Sequence, residues 1–323
     1  MYAPVLITVY DRVEHLRQCI DSLLRCPEAP HTIVYIASDA PYRKEDEKAI
    51  QKVRDYVKTI KGFEELVLFA REKNLGLQDN YKQAREYVFE RHPALITMED
   101  DVVVGQGFMR FINDGLEKYF DDNKVLAICG YIMPGGDGLE EKPFFLNEQT
   151  PYGTGIWKHK ESLTDSFLSP LLADEFLRNW SLFHSLEHQT PANIRALPVI
   201  AKGDLIANDI QALLGMNRFN LFALFPPKTL TKSVGHDGTG MHSGVNHELQ
   251  NQRVYDGFFT IPDNLEVKLS RKVNEGIVRS QKSFLVTLVN RSIYMCYKFI
   301  PGFYRFFKPA RKMFKAARKS FSI

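Results

Sequence analysis

Four short apolar runs in the first hundred residues, at 5–10, 32–37, 66–70 and 94–98, are each separated from the next by a stretch of helical periodicity. That alternation constrains the fold more than any other feature. Parallel strands need a crossover of roughly a dozen residues or more, and a helix laid over the sheet supplies it. The helical stretches cover 14–25, 45–61 and 77–91, and in the first of them Leu16, Ile20, Leu23 and Leu24 share one face. The pattern predicts an α/β fold with a mainly parallel, Rossmann-like sheet flanked by helices on both faces. A further helix is expected over 108–119 and a buried strand over 125–130, followed by a Gly- and Pro-rich loop at 134–156. Residues 160–230 read as helical, with a late strand at 221–225 stopped by Pro226 and Pro227.

Sheets of this kind bind ligands beyond the carboxyl ends of their strands. Those ends read Tyr10-Asp11-Arg12, Ser38-Asp39, residues 71–76, and Glu99-Asp100-Asp101. The last is the most demanding. Three acids closing an apolar strand gather negative charge, which is costly unless a cation or basic group faces it. Mg²⁺ or Mn²⁺, held by one or two carboxylates together with substrate phosphates, is the usual solution for hard oxygen ligands.

Composition excludes several other chemistries. The 323 residues are 44% apolar, enough for a sizeable core. Cys19, Cys26, Cys129 and Cys296 are scattered without C-x-x-C spacing, so neither a zinc site nor a disulfide framework is indicated and a reducing compartment is expected. The N-terminus lacks a basic leader and reads as a first strand rather than a signal peptide. No run of about 18 uncharged apolar residues predicts a spanning helix.

Charge is unevenly distributed. The net charge of +3 hides a C-terminal stretch, 276–323, with eleven Lys or Arg and no Asp or Glu, so the rest carries −8. Within it Phe303, Phe306, Phe307, Ala310, Met313, Phe314, Ala317 and Phe321 follow a helical period, with Arg305, Lys308, Arg311, Lys312, Lys315, Arg318 and Lys319 between them. That is the pattern of an amphipathic helix in a membrane interface, and 284–300 reads as a second. With so much bare Phe, an anionic membrane surface is the expected partner and nucleic acid is not. The expected location is cytoplasmic, peripheral on the inner face of the membrane.

Glu99-Asp100-Asp101 resembles the Asp-x-Asp-type motif of GT-A glycosyltransferases, and its form is similar to that of bacterial family 2 and N-acetylglucosaminyltransferase I-like enzymes. The resemblance implies a GT-A fold and an inverting transfer from a nucleoside diphosphate sugar, UDP in the first instance, with Asp101 as metal ligand and Asp100 and Glu99 toward ribose and base. It extends to Thr8, Tyr10 and Arg12 at the first strand end and to Asp39, which matches an acid that reads base or ribose. The segment from Arg71 through Asn74, Gly76 and Asn80 resembles the turn that follows the third strand in such enzymes.

Further along, residues 233–243 resemble a Gly-rich, His-ending segment of the bacterial relatives, which implies that His242 completes the metal site or touches the diphosphate. Gly153-Thr154-Gly155-Ile156-Trp157 resembles a segment lining the sugar site, where Trp157 would stack on a ring. Asp209 aligns with the base that deprotonates the acceptor hydroxyl, with Asp204 and Glu175 open as alternatives. The implied organisation is a nucleotide-sugar-binding half at 1–130, an acceptor-binding half at 131–260, and a basic amphipathic helical extension at 276–323. A glycan or lipid-linked acceptor in surface polysaccharide assembly fits that arrangement. Two other readings share the sheet: a sugar-nucleotide nucleotidyltransferase, which wants a Gly-rich loop after the first strand where residues 10–15 have no Gly, and an inactive scaffold on the same fold.

Overall fold

The computed structural model describes residues 2–238 and 247–300. The first half alternates as its periodicity predicts: β1 (Val5–Val9), α1 (Val13–Leu24), β2 (Ile33–Ser38), α2 (Glu47–Val57), β3 (Glu65–Ala70), α3 (Gly76–Arg91), β4 (Ala94–Glu99), β5 (Val102–Val104), α4 (Phe108–Lys118) and β6 (Val125–Cys129). Then come β7 (Phe144–Leu146), β8 (Thr154–Trp157), α5 (Glu161–Ser166), α6 (Pro170–Arg178), α7 (Trp180–Glu187), α8 (Leu197–Ile200), α9 (Asn208–Phe219) and β9 (Phe222–Phe225). The remaining elements are β10 (Thr231–Ser233), α10 (His247–Asn251), α11 (Arg271–Gln281) and α12 (Phe284–Phe299).

Eight strands form one sheet in the order β3-β2-β1-β4-β8-β6-β9-β7, and β5 pairs with β10 in a separate ribbon. β3, β2, β1 and β4 run parallel in register, whereas β8 lies antiparallel between β4 and β6. This is the expected Rossmann-like, mainly parallel α/β architecture. The two expected halves are therefore continuous through the sheet, because β8 joins the first four strands to β6 and β9.

Alternation along β1 explains why all its residues are buried. Val5, Ile7 and Val9 join a core beneath α1 and α4, while Leu6 points to the opposite face and packs with Ala84, Val88 and Phe89 of α3. A second core gathers α6, α7, α9, α11 and α12 over β6, β7 and β9.

The expected loop at 134–156 is corrected by two strands, β7 and β8. Gly155 reads as a breaker in sequence but is a packing device here: a Cβ would come within 2.5 Å of Ile112 on α4, so the helix can approach β8 only if that position is bare. The expected interfacial helix at 284–300 forms as α12, which packs one face, Asn290, Ile293 and Tyr294, against the body. Its sequence period was right, but one face is spent on the protein. Among the described residues no helix is long and apolar enough to cross a membrane. All four cysteines are free. The amphipathic period at 303–321 lies outside the described residues.

Candidate active site

Strand register brings the polar clusters to one edge: Val9 pairs with Ser38, Ser38 with Ala70, and Thr8 with Glu99. The residues at these four ends nevertheless divide into two kinds.

At the ends of β2 and β3 nearly every polar group is bound to protein. The buried Asp39 carboxylate accepts hydrogen bonds from the backbone N–H of Ala40 (2.8 Å), Leu75 (3.0 Å) and Gly76 (2.8 Å). It thereby caps α3, which has no side-chain cap of its own, and Gly76 enters the helix at φ +75°, where a side chain would strain the turn. Asn74 donates to the Ala40 carbonyl at 2.7 Å. Arg54 of α2 donates to the carbonyls of Asp39 and Arg71, and Arg71 to the side chain of Asn80. Asn80 also donates to the Ala37 carbonyl, and it is 2% exposed. Its expected role at the nucleotide is corrected on that ground: both ends of its amide are used inside the protein.

At β1 and β4 the picture differs. Thr8 is buried and its carbonyl accepts the Asp100 N–H at 3.1 Å, locking the triplet to β1. Tyr10 donates to Asp46 at 2.7 Å and accepts from the Tyr42 N–H. Arg12, just ahead of α1, engages Asp100 through two nitrogens and stands 3.3 Å from Oδ2 of Asp101. Oδ1 of Asp101 is buried and has no hydrogen-bond partner. Glu99 has neither an ion pair nor a side-chain hydrogen bond among the described residues; burial, then the charges of Asp101 and Asp100, push its carboxyl up to about 7. Asp209, in the first turn of α9, adds last and least to that push.

The Gly-rich segment closes over these acids. The Val234 N–H donates to the Asp101 carbonyl at 2.8 Å, and a Cβ on Gly235 would lie 1.9 Å from Oδ2 of Asp101. His236 contacts the Tyr152 hydroxyl at 3.3 Å, and Asp237 pairs with His15 of α1 at 3.2 Å. Burial, then the charges of Glu99, Asp101 and Asp209, raise the pKa of the Tyr152 hydroxyl. His242 lies outside the described residues.

Two other expectations change. Trp157 is 1% exposed, donates to the Leu116 carbonyl at 3.0 Å and lies under the Lys160 ammonium; sealed in the core, it cannot stack on a sugar. Glu175 is held by Arg218 at 2.8 Å, whereas Asp204 and Asp209 lie exposed on the approach to α9. Sequence reasoning missed Arg54, Tyr152 and His15. Only His236 and Asp237 carried a signal, through their glycine-rich surroundings.

The arrangement fits a hard divalent cation. Asp101 has a buried, unpartnered oxygen, two residues after a Glu99 that is itself unpaired, and such oxygens are stabilised by a cation. No three His, Cys, Asp or Glu side chains converge on one point among the described residues.

No protein-family model matches the chain, and no curated protein matches it in sequence. Among solved structures it is similar to S. aureus TarS 1-349, with a TM-score of 0.38 and 12% identity over 68% of this chain and 72% of that one. A second structure of S. aureus TarS gives a TM-score of 0.34 and 11% identity, over 68% and 55% respectively. Likeness at this level carries no activity across; the fold class rests on the sheet order itself.

Proposed function

We propose that this chain is a metal-dependent, inverting glycosyltransferase that moves a sugar from a nucleoside diphosphate donor to a glycan or lipid-linked acceptor. The observation that carries the reading is the unpartnered Oδ1 of Asp101, buried beside unpaired Glu99 at the carboxyl edge of a parallel sheet. Asp101, joined by Glu99 in place of the nucleoside role its resemblance implies, would hold Mg²⁺ or Mn²⁺, whose charge offsets that of the departing diphosphate. Arg12 fixes Asp100 and steadies Asp101, and Tyr152 offers a proton donor to a phosphate or sugar oxygen. Asp209 takes the proton of the acceptor hydroxyl as its oxygen bonds to the anomeric carbon and the bond to the diphosphate breaks.

The test is a thermal-shift panel of nucleotide sugars with and without Mn²⁺, because a ligand that binds the native state raises its melting temperature. A UDP-sugar that shifts melting only with the metal present is the expected result. Silence toward every nucleotide would end the reading. For the base, Asp209→Asn is expected to keep donor binding and lose transfer; full activity would move the role to Asp204.

A further inference from the structure

The second core leaves one of its helices half uncovered. α12 is capped by Ser283, whose hydroxyl accepts the Val286 N–H at 3.2 Å. It lies on the body through Asn290, Ile293 and Tyr294, and Tyr294 stacks edge-on to Trp180 and tilts against Phe183 of α7. Asn290 donates to the Pro191 carbonyl at 2.9 Å, and Tyr297 to Asp174 of α6 at 2.6 Å. These contacts fix how the helix is rolled.

What the roll leaves outside is apolar. Phe284 is 81% exposed, Leu285 68%, Leu288 53%, Met295 53% and Phe299 64%. At about 100° per residue these side chains, with Val289 beside them, fall within an arc of roughly 140° that shares no position with the buried stripe. Six large apolar groups on one turn-to-turn face exceed the scattered exposure normal for a monomer.

Charge indicates what covers them. Arg291 and Lys298 border the stripe on one side, Arg291 with its outward half exposed beside Glu187 and Lys298 exposed near the Tyr294 and Phe299 rings. Lys282 stands at the helix start, and from 276 to the C-terminus there is no acid at all, while seven further Lys or Arg follow residue 300. A protein partner would ask for a complementary acidic rim and a shaped groove. A flat apolar stripe with a cationic border and a cationic continuation matches acyl chains beneath anionic headgroups.

We propose that α12 seats this protein on an anionic lipid bilayer through the face formed by Phe284, Leu285, Leu288, Met295 and Phe299. Because Asn290 and Tyr294 lock the opposite face to the body, the helix would hold the whole domain at a set orientation rather than tether it loosely. The inference stands apart from the transfer reading, since a bilayer can hold the chain whether or not it moves a sugar.

The experiment is flotation of the full chain with phosphatidylcholine vesicles, with and without about 30% phosphatidylglycerol. The parent is expected to float with the anionic vesicles, less so at high salt. The variant Phe284→Ser/Leu288→Ser/Phe299→Ser is expected to lose at least about tenfold in partition while keeping the parent's melting temperature. In a second measurement, Leu288→Trp is expected to show a blue shift in emission when anionic vesicles are added. The proposal is overturned if the triple variant floats like the parent, or if anionic lipid makes no difference. It is also overturned if Leu288→Trp emits in the blue without lipid and does not shift, which would mean that the chain's own C-terminal segment covers the face. A parent dimer dissolved by the triple variant, with no flotation of either, would assign the face to a second copy instead.

Discussion

Asp39 stands one residue beyond β2 and Asp101 two residues beyond β4, the parallel strands on either side of β1; both are buried, and their fates are opposite. Asp39 spends both oxygens on three backbone N–H groups and becomes part of the turn into α3. Asp101 is steadied by Arg12 through one oxygen and keeps the other buried without a partner. Position on the sheet edge is thus shared by acids whose hydrogen bonds the fold consumes and acids it leaves unsatisfied. What separates them is the hydrogen-bonding capacity left after the fold has taken its portion, since a buried group without a partner costs free energy that a ligand can return.

The sharpest way to break this comparison is to remove each acid and measure both activity and stability. Asp101→Asn is expected to lower transfer by about 100-fold to 1,000-fold and to abolish the metal-dependent thermal shift. Its own melting temperature should fall by no more than about 1–2 kcal/mol allows, since the variant loses the charge facing Arg12 while the Oδ1 it leaves had no partner. Gly235→Ala should resemble it in activity, since the new Cβ would displace the Asp101 carboxylate from its seat.

Asp39→Ala should do the reverse. Leaving one buried and two half-buried N–H donors without their acceptor is expected to cost about 2–3 kcal/mol of stability and to lower the melting temperature by several degrees. Nucleotide binding measured well below that melting temperature should survive within about tenfold. If Asp39→Ala melts like the parent but no longer binds nucleotide, the two acids are both functional and the comparison fails.

How much of this could be read from sequence follows from the same distinction. The parallel strands were visible because burial on both faces demands unbroken apolar runs, as in Val5–Val9 and Ile33–Ser38. Their polar ends were visible for the same reason, so Glu99, Asp100 and Asp101 stood out. Residual capacity was not visible, because it depends on partners distant in the chain: Arg54 reaches from α2 to the turns that follow β2 and β3, and Tyr152 arrives from a stretch whose glycines read as loop. β7 and β8 were missed because each is short, and because Gly155 and Gly153 serve packing and turn geometry that composition alone assigns to loops.

Glu148 sharpens the comparison at a site away from the triplet. It follows β7, has no hydrogen bond or ion pair among the described residues, and burial alone pushes its carboxyl up to about 7 from 4.5. A raised folded pKa means the native state holds this proton more tightly than the unfolded chain. The resulting stability is present below about pH 4.5, and is lost as pH rises toward and through about 7. Glu148→Gln should therefore melt higher than the parent at pH 8, by an increment worth up to about 3 kcal/mol, and nearly with it at pH 4. Equal melting at pH 8 would show that the carboxylate has a partner after all.

Trp157 offers the smallest expected effect and the cleanest separation of packing from recognition. Its indole N–H is used by the Leu116 carbonyl, and its ring carries the Lys160 ammonium at 3.7 Å. That ammonium in turn donates to the carbonyls of Tyr119, Asp122 and Val125, closing the polar groups that follow α4. Trp157→Phe keeps an aromatic ring but leaves one carbonyl unpaired and a small void, at an expected cost of about 1–3 kcal/mol. Because the ring is sealed beneath β8 and α4, the variant's apparent affinity for a nucleotide sugar should match the parent's at a temperature where both are folded. A donor KM raised about tenfold at unchanged melting temperature would put Trp157 back at the sugar, and would mean that the cleft opens far enough to expose a residue the fold now spends entirely on itself.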